Sequence, residues 1–320
     1  MTSSPAPRVT IGLPVRDGGA FLAEALDSLL AQSFGDLEVL VLDNGSSDDT
    51  PRIAAAAAAR DDRVRYLVNP RDLGVSRNHN RAVRLARGEL FKWASHDDVC
   101  EPDLVRRCVE ALDADPGVVC AYARAVDIDE QDRRGRIWPP RPALSDADPV
   151  RRFRDVLDNR NKMYPLFGVM RRAVLERTAG FGHHHGGDRT LLAEVALRGR
   201  FAEIDQPLFL RREHARRASR ARGGPHHAVR IWRPERAGRV WNFPYLAHLA
   251  AILAAIRRAP LTSSQRWRCY GYLPRWVAQE DFLAKLAYDV AIPARPLIAA
   301  ALRGYGRLRR HQSDEELEPA

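Results

Sequence analysis

The sequence predicts an α/β protein with a mostly parallel central sheet, flanking helices and a helical C-terminal extension. Three observations carry that prediction. Continuous apolar runs and helix-periodic segments alternate three times between Val9 and Asp98 with short connections, the pattern of a doubly wound sheet. Leu37–Leu42 and the start of Phe91–Asp98 read as buried strands, the second ending abruptly in two carboxylates. After about Gly223 strand signals fade, and Trp, Arg and Ala dominate stretches with helical spacing.

Val9–Leu13 is a β-branched run ending at Pro14, a first strand. After the loop Pro14–Gly19, Phe21–Gln32 carries apolar residues at helical spacing (Phe21, Leu22, Ala25, Leu26, Leu29 and Leu30). Leu37–Leu42 is a second strand with Asp43 at its carboxyl end, and Asn44–Asp49 is turn chemistry. Thr50 and Pro51 read as N-cap and first residue of an Ala-rich helix ending at Arg60. Val64–Val68 is a third strand, and Val75–Arg87 a helix closed by Gly88. Glu89–Asp98 begins as a buried strand and ends in two adjacent carboxylates, Asp97 and Asp98. Pro102–Asp113 reads as a helix and Val118–Arg124 as a strand. Asp127–Asp148 is a long loop or irregular hairpin containing Trp138. Pro149–Asp158 is a short helix, and Tyr164–Met170 a strand through Phe167 and Gly168. Asp188 opens a helix over Arg189–Arg198. Phe201–Ile204 and Pro207–Arg211 read as two short strands. Tyr245–Arg257, Ala278–Tyr288 and Pro293–Arg307 are candidate helices, expected to pack on the main domain. Ser313–Ala320 is an acidic tail.

At 320 residues the chain can bury a large core, and 29% charged residues suit a soluble globular protein. The net charge of +10 admits phosphorylated or anionic partners. Because all but Lys92, Lys162 and Lys285 of the basic side chains are Arg, the charge also reflects a compositional bias and is discounted as a partner signal. No stretch interleaves basic and aromatic residues as a nucleic-acid groove would, so nucleic acid is not an expected partner. Cys100, Cys108, Cys120 and Cys269 are not at metal spacing and suggest no disulfide framework, which fits a reducing cytoplasm. Met1–Arg8 is short and polar and is not expected to act as a signal peptide. The apolar stretch Phe243–Ile256 is too short to span a bilayer. The Arg-flanked C-terminal helices leave a peripheral contact with the inner membrane face open.

Neither a Gly-x-Gly-x-x-Gly fingerprint nor a Walker loop follows the first strand. The strand ends present carboxylates instead. Asp97 and Asp98 can hold a divalent cation against a phosphate. Asp43 can open an Asx turn or accept from a nucleobase or ribose. Asp188 follows a flexible loop and can cap its helix or face a cleft. Adjacent His183, His184 and His185 cannot all face one ion, so they read as an exposed loop. The basic run Arg211, Arg212, Arg216 and Arg217 suits a pyrophosphate.

The series Val9–Arg16, Leu26–Ser33, Glu38–Thr50, Asn69, Gly74, Arg77-Asn78, Ala86–Glu89 and Asp97-Asp98 resembles the family 2 glycosyltransferases of GT-A (Rossmann-like) fold, over roughly residues 8–215. The resemblance implies a GT-A domain over 8–222, with a nucleotide-sugar half (8–98) and an acceptor half (99–222). A helical region (223–312) and short disordered ends (1–7 and 313–320) complete the expected organisation. It implies an inverting transferase moving a sugar from a nucleotide-diphosphosugar to a hydroxyl of a glycan, lipid-linked or small-molecule acceptor. The donor would be UDP-, GDP- or dTDP-linked, and the cofactor a divalent cation, Mn²⁺ or Mg²⁺. Pro14, Val15, Arg16, Asp17, Asp43, Arg77 and Asp97 would then bind the nucleotide, with Asp97 and Asp98 on the metal and His214 near the diphosphate. Asp188 would be the catalytic base, and Trp138, Phe167 and Gly168 would face the acceptor. Two positions depart from the family pattern. Ser95 stands where the first acid of the Asp-x-Asp motif is expected, and Gly187 stands for the Glu of a Glu-Asp pair. These departures motivate an alternative, a catalytically silent module that binds nucleotide sugars or proteins.

Overall fold

The computed structural model describes residues 6–159, 163–184, 186–215, 243–279, 284–287 and 289. Strands β1 (Val9–Val15), β2 (Leu37–Asp43), β3 (Val64–Val68) and β4 (Leu90–Trp93) alternate with helices α1 (Leu22–Leu30), α2 (Thr50–Arg60) and α3 (Val75–Leu85). They form the parallel run β3-β2-β1-β4. Every residue of β1, β2 and β4 is buried, because helices cover both faces of a parallel sheet. Pro14 lies inside β1, yet β4 pairs with β1 only as far as Gly12, so its missing N–H costs the ladder nothing on that side.

Beyond β4 the sheet is mixed. Strands β5 (Val99–Cys100), β6 (Val118–Ile128), β7 (Arg134–Ile137), β8 (Val169–Arg171) and β9 (Arg200–Arg212) follow, with α4 (Leu104–Ala114), α5 (Pro149–Asp158), α6 (Arg172–Leu175) and α7 (Gly187–Ala196). The order continues β4-β8-β6-β9-β5, and β7 pairs with β6. β6 and β9 are parallel; β8 is antiparallel to β4 and β6, β5 to β9, and β7 to β6.

Several expectations change in detail. The segment expected to be one strand over Tyr164–Met170 is a 3-10 turn over Tyr164–Phe167 followed by β8, because Pro165 suits the start of a turn and not a ladder. The two short strands expected around Pro207 are one strand, β9. Its register against β6 shifts between Ala123–Ile204 and Ala125–Phe209, and the resulting bulge absorbs the proline. Thr50 lies inside α2, and Asp49 is its N-cap. The long polar segment after β6 is a hairpin through β7.

Two further helices follow: α8 (Pro244–Arg258), the helix expected over Tyr245–Arg257, packs on α7, and α9 (Ser263–Gln279), where the sequence reading places no helix, packs on α5. Ile252, Ile256, Cys269 and Trp276 join the core. Arg258 donates to Glu194 of α7 at 3.0 and 2.9 Å, and Arg268 to Asp148 at the start of α5 at 2.5 Å. The expectations for Arg216-Arg217, Pro293–Arg307, residues 280–283 and 288 of the expected helix Ala278–Tyr288, and the acidic tail lie outside the described residues. Among the described residues no helix is long and apolar enough to cross a membrane.

Candidate active site

The carboxyl ends of β1, β2 and β4 converge with the end of β9. Open α/β sheets bind ligands outside the carboxyl ends of their strands. The loops after β1 and β2 hold each other. Asp17, at φ 49, accepts from the Ser47 N–H at 2.8 Å, and its own N–H donates to Ser46 Oγ at 2.9 Å. The Gly18 N–H donates to Thr50 Oγ1 at 2.9 Å. Arg16, half exposed beyond Pro14 and Val15, bonds Asp72. Asp43 is fully buried. It accepts from the Ser46 N–H, three residues on, at 2.8 Å and from the Tyr66 hydroxyl at 2.9 Å, so it braces the turn after β2. Burial and the Asp43 carboxylate push the Tyr66 phenol up to about 12.

Beneath these loops lies a network of amides. Asn69 Nδ2 donates to Asn44 Oδ1 at 2.9 Å and to Asn78 Oδ1 at 2.8 Å, and Asn78 Nδ2 donates to the Leu42 carbonyl at 2.9 Å. Asn44 Nδ2 in turn reaches Asp72 at 2.6 Å. The network ties β2 to the start of α3, where Arg77 stands exposed on the first turn.

The two carboxylates after β4 point to different partners. Asp97 Oδ2 lies 3.0 Å from His214 Nε2, both side chains are buried, and the Ser95 hydroxyl donates to Asp97 Oδ1. Asp98 Oδ1 accepts from the Arg212 N–H at 3.0 Å. The His96 ring packs on Gly18, where a Cβ would come within 2.6 Å of it. Arg212 is 1% exposed and is the clamp of the site. Its guanidinium donates to the carbonyls of Asp97 (3.1 Å) and Asp129 (3.0 Å), to Glu24 (2.7 Å) and to Asp132 (2.6 Å), and it lies over the Phe21 ring. The same Phe21 ring meets His214 at 5.0 Å between centroids. Arg211 pairs with Asp127 and Glu213. The described arginines of the basic run, Arg211 and Arg212, thus bond carboxylates and carbonyls of the site itself.

The donor chemistry of Asp97 and His214 fits a divalent cation, since a carboxylate oxygen and an imidazole nitrogen at one point are ligands for such ions. Among the described residues no cluster of three or more such ligands occurs, so a bound cation would take further ligands from outside these side chains.

Asp188 stands on the first turn of α7, half-buried, and accepts from the Arg189 N–H at 2.8 Å. The loop before it is fastened to α3: Ser76 Oγ donates to the Gly182 carbonyl at 2.7 Å, and Asn80 exchanges two bonds with Phe181. Trp138 is 9% exposed, donates to Asp127 at 2.9 Å and lies under Arg136 and Arg211. Phe167 stacks on Phe209 and its carbonyl accepts from the buried Lys92 ammonium. At Gly168 a Cβ would come 2.5 Å from the Ala121 carbonyl, so the position requires glycine for packing.

The structure therefore brings Asp97 to His214 and Asp98 to the Arg212 N–H, and separately joins the loops of Arg16, Asp17 and Asp43; Asp188 is joined to them through α3. Sequence reasoning missed the roles of Arg212, Asn44 and Asp72. Asn44, Asn69 and Asn78 stand in the sequence only as turn residues or as elements of the family resemblance. No local pattern separates the buried Arg212 from its neighbour Arg211. A cavity of ≈ 300 Å³ lined by Tyr122, Arg141 and Glu203 lies at the amino ends of β6 and β9, away from this cluster.

Comparison with known proteins adds a family and a fold. Residues 10–180 match the model of "Glycosyl transferase family 2". The chain is 34% identical over 136 residues to the chondroitin synthase of Escherichia coli, 42% of this chain and 20% of that protein. It is 33% identical over 121 residues to the uncharacterized glycosyltransferase RP339 of Rickettsia prowazekii, 37% of each. The alignments thus span well under half the length of these relatives. Among solved structures, S. aureus TarS 1-349 in complex with UDP-GlcNAc superposes with a TM-score of 0.62 at 17% identity, over 85% of this chain and 73% of that one. The mannosyltransferase PcManGT from Pyrobaculum calidifontis, in complex with GDP-Man and Mn²⁺, superposes with a TM-score of 0.53 at 20% identity, over 98% and 82%. The fold is GT-A, as expected from the sequence.

Proposed function

Because the chain belongs to glycosyl transferase family 2, we propose that it transfers a sugar from a nucleotide-diphosphosugar to an acceptor hydroxyl with inversion. One observation carries the reading: Asp97 and His214 meet at 3.0 Å, buried, at the carboxyl end of β4. A divalent cation bound there supplies electrostatic neutralisation of the leaving diphosphate. Asp97 and His214 would hold it, and Asp98 braces the loop by accepting from the Arg212 N–H. The loops of Pro14–Asp17 and Asp43, with Arg77, take the nucleoside side.

The reaction needs one proton acceptor. The Asp188 carboxylate takes the proton of the acceptor hydroxyl as its oxygen attacks the anomeric carbon. The bond from that carbon to the diphosphate breaks, and the diphosphate leaves with the electron pair. A single displacement inverts the anomeric centre. A second carboxylate, as in glycoside hydrolases, is not required, because the diphosphate is already a good leaving group. Trp138 and Phe167 belong to the acceptor half in this reading. Solved structures of the same fold hold UDP-GlcNAc or GDP-Man, which supports a nucleotide-sugar donor and leaves UDP, GDP and dTDP to be compared. A cytoplasmic location with peripheral membrane contact through α9, where Trp267 is 74% exposed between Arg266 and Arg268, belongs to the same proposal.

The test is calorimetric titration of UDP, GDP and dTDP with and without Mn²⁺, repeated on Asp97→Asn. Binding of one nucleotide that requires the metal and Asp97 supports the assignment; failure of all three to bind a folded sample refutes it. The silent-module reading is favoured by Ser95 and Gly187, and turnover that is lost in Asp188→Asn while nucleotide binding persists excludes it.

A further inference from the structure

We propose that His248 is a positioning residue: its imidazole seats the turn that presents Asp188 and fixes the direction of that carboxylate. The proposal rests on the assignment of Asp188 as the base. His248 belongs to α8, a helix beyond the 10–180 segment that the family model matches.

The turn before α7 carries Gly182, Gly186 and Gly187 on either side of its histidines. Gly186 caps the helix at φ 77, in the left-handed region. Its carbonyl accepts from the Thr190 N–H at 3.0 Å and from Thr190 Oγ1 at 3.2 Å, and the Gly187 N–H donates to the His184 carbonyl at 3.1 Å. A turn so rich in glycine has little rigidity of its own, since glycine loses the most conformational freedom on ordering. Neighbours must supply the rigidity. On one side α3 holds Phe181 and Gly182 through Asn80 and Ser76. On the other side stands His248, 3% exposed. Its ring is seated on Gly186 so closely that a Cβ there would lie 2.5 Å from Cε1. The ring is also stacked on His184 (5.4 Å, 21°) and edge-on to Trp276 (5.5 Å, 76°). Further along α7, the bidentate Arg258–Glu194 pair stops the helix from sliding against α8. α8 thus grips α7 at its capping residue and near its end, and Asp188 lies two residues past the first grip. A base must meet its proton in a narrow range of geometry, and a displacement of about 1 Å costs on the order of a hundredfold in rate.

The experiment uses the full chain with His248→Ala and His248→Phe. Three quantities are read: kcat, nucleotide affinity, and amide hydrogen exchange of residues 186–190. The expected result for His248→Ala is a fall in kcat of roughly tenfold or more, nucleotide affinity within about twofold of the parent, and faster exchange in that segment. His248→Phe keeps a flat ring against Gly186 and is expected to restore both kcat and exchange to within about threefold. A kcat within about twofold of the parent in His248→Ala, or unchanged exchange at 186–190, overturns the proposal. So does an equal loss of kcat and nucleotide affinity, which is the mark of general unfolding. The base assignment is read separately: full turnover by Asp188→Asn refutes that assignment, whereas the exchange measurement reports on His248 whichever residue is the base.

Discussion

His214 Nε2 and Asp97 Oδ2 lie 3.0 Å apart, although 117 positions separate the two residues in the chain. One sits after β4 and the other just past β9, and both are buried. Removing either leaves the other without this partner in a low-dielectric site. Asp97→Asn keeps the shape but removes the charge that would hold a cation. We expect nucleotide affinity in Mn²⁺ to fall by about tenfold or more, and affinity without metal to change little. Parallel titrations with and without Mn²⁺ check this.

Asp188→Asn should leave nucleotide affinity intact and lower kcat by about a hundredfold or more, since it abolishes proton acceptance with little change of volume. Initial-rate kinetics at saturating donor, together with calorimetry on the same sample, separate the two effects.

Arg212 joins four segments of the site with one guanidinium. Arg212→Met fills much of the volume but leaves the Asp97 and Asp129 carbonyls without their donor, and should cost about 2–4 kcal/mol. Arg212→Lys should rescue little of it, because a point-like ammonium cannot serve four separate directions. Urea midpoints and slopes of the three proteins give the comparison.

His79, on α3, is held by burial well below its ordinary value, to about 4, with its Nδ1 bonded to the Val75 carbonyl. The unfolded chain protonates this residue first as pH falls, so the folded state loses stability from about pH 6.5 downward and has lost the full contribution near pH 4. Between neutrality and pH 5 the loss should be roughly 2 kcal/mol. His79→Gln should flatten that part of the profile, which denaturant titrations at several pH values would display.

By itself the sequence determined the alternating parallel half of the fold. The strands from Val9 to Trp93 and the three helices between them rest on local apolar periodicity and on turn chemistry at Asn44–Asp49 and Gly74. It also marked Asp43, Asp97, Asp98 and Asp188 as acids at element ends, because such carboxylates stand out against apolar runs. Only the tertiary structure decided which of them meet, and with what. Pro207 reads as a strand break until the β6–β9 bulge accommodates it. Arg211 and Arg212 look alike in the chain, yet Arg212 is the one driven into the interior by four partners. His248 looks like an isolated polar residue in an apolar helix until α8 lays it on Gly186. Periodicity is set by neighbours within a few residues, whereas these pairings depend on close packing between segments far apart in sequence.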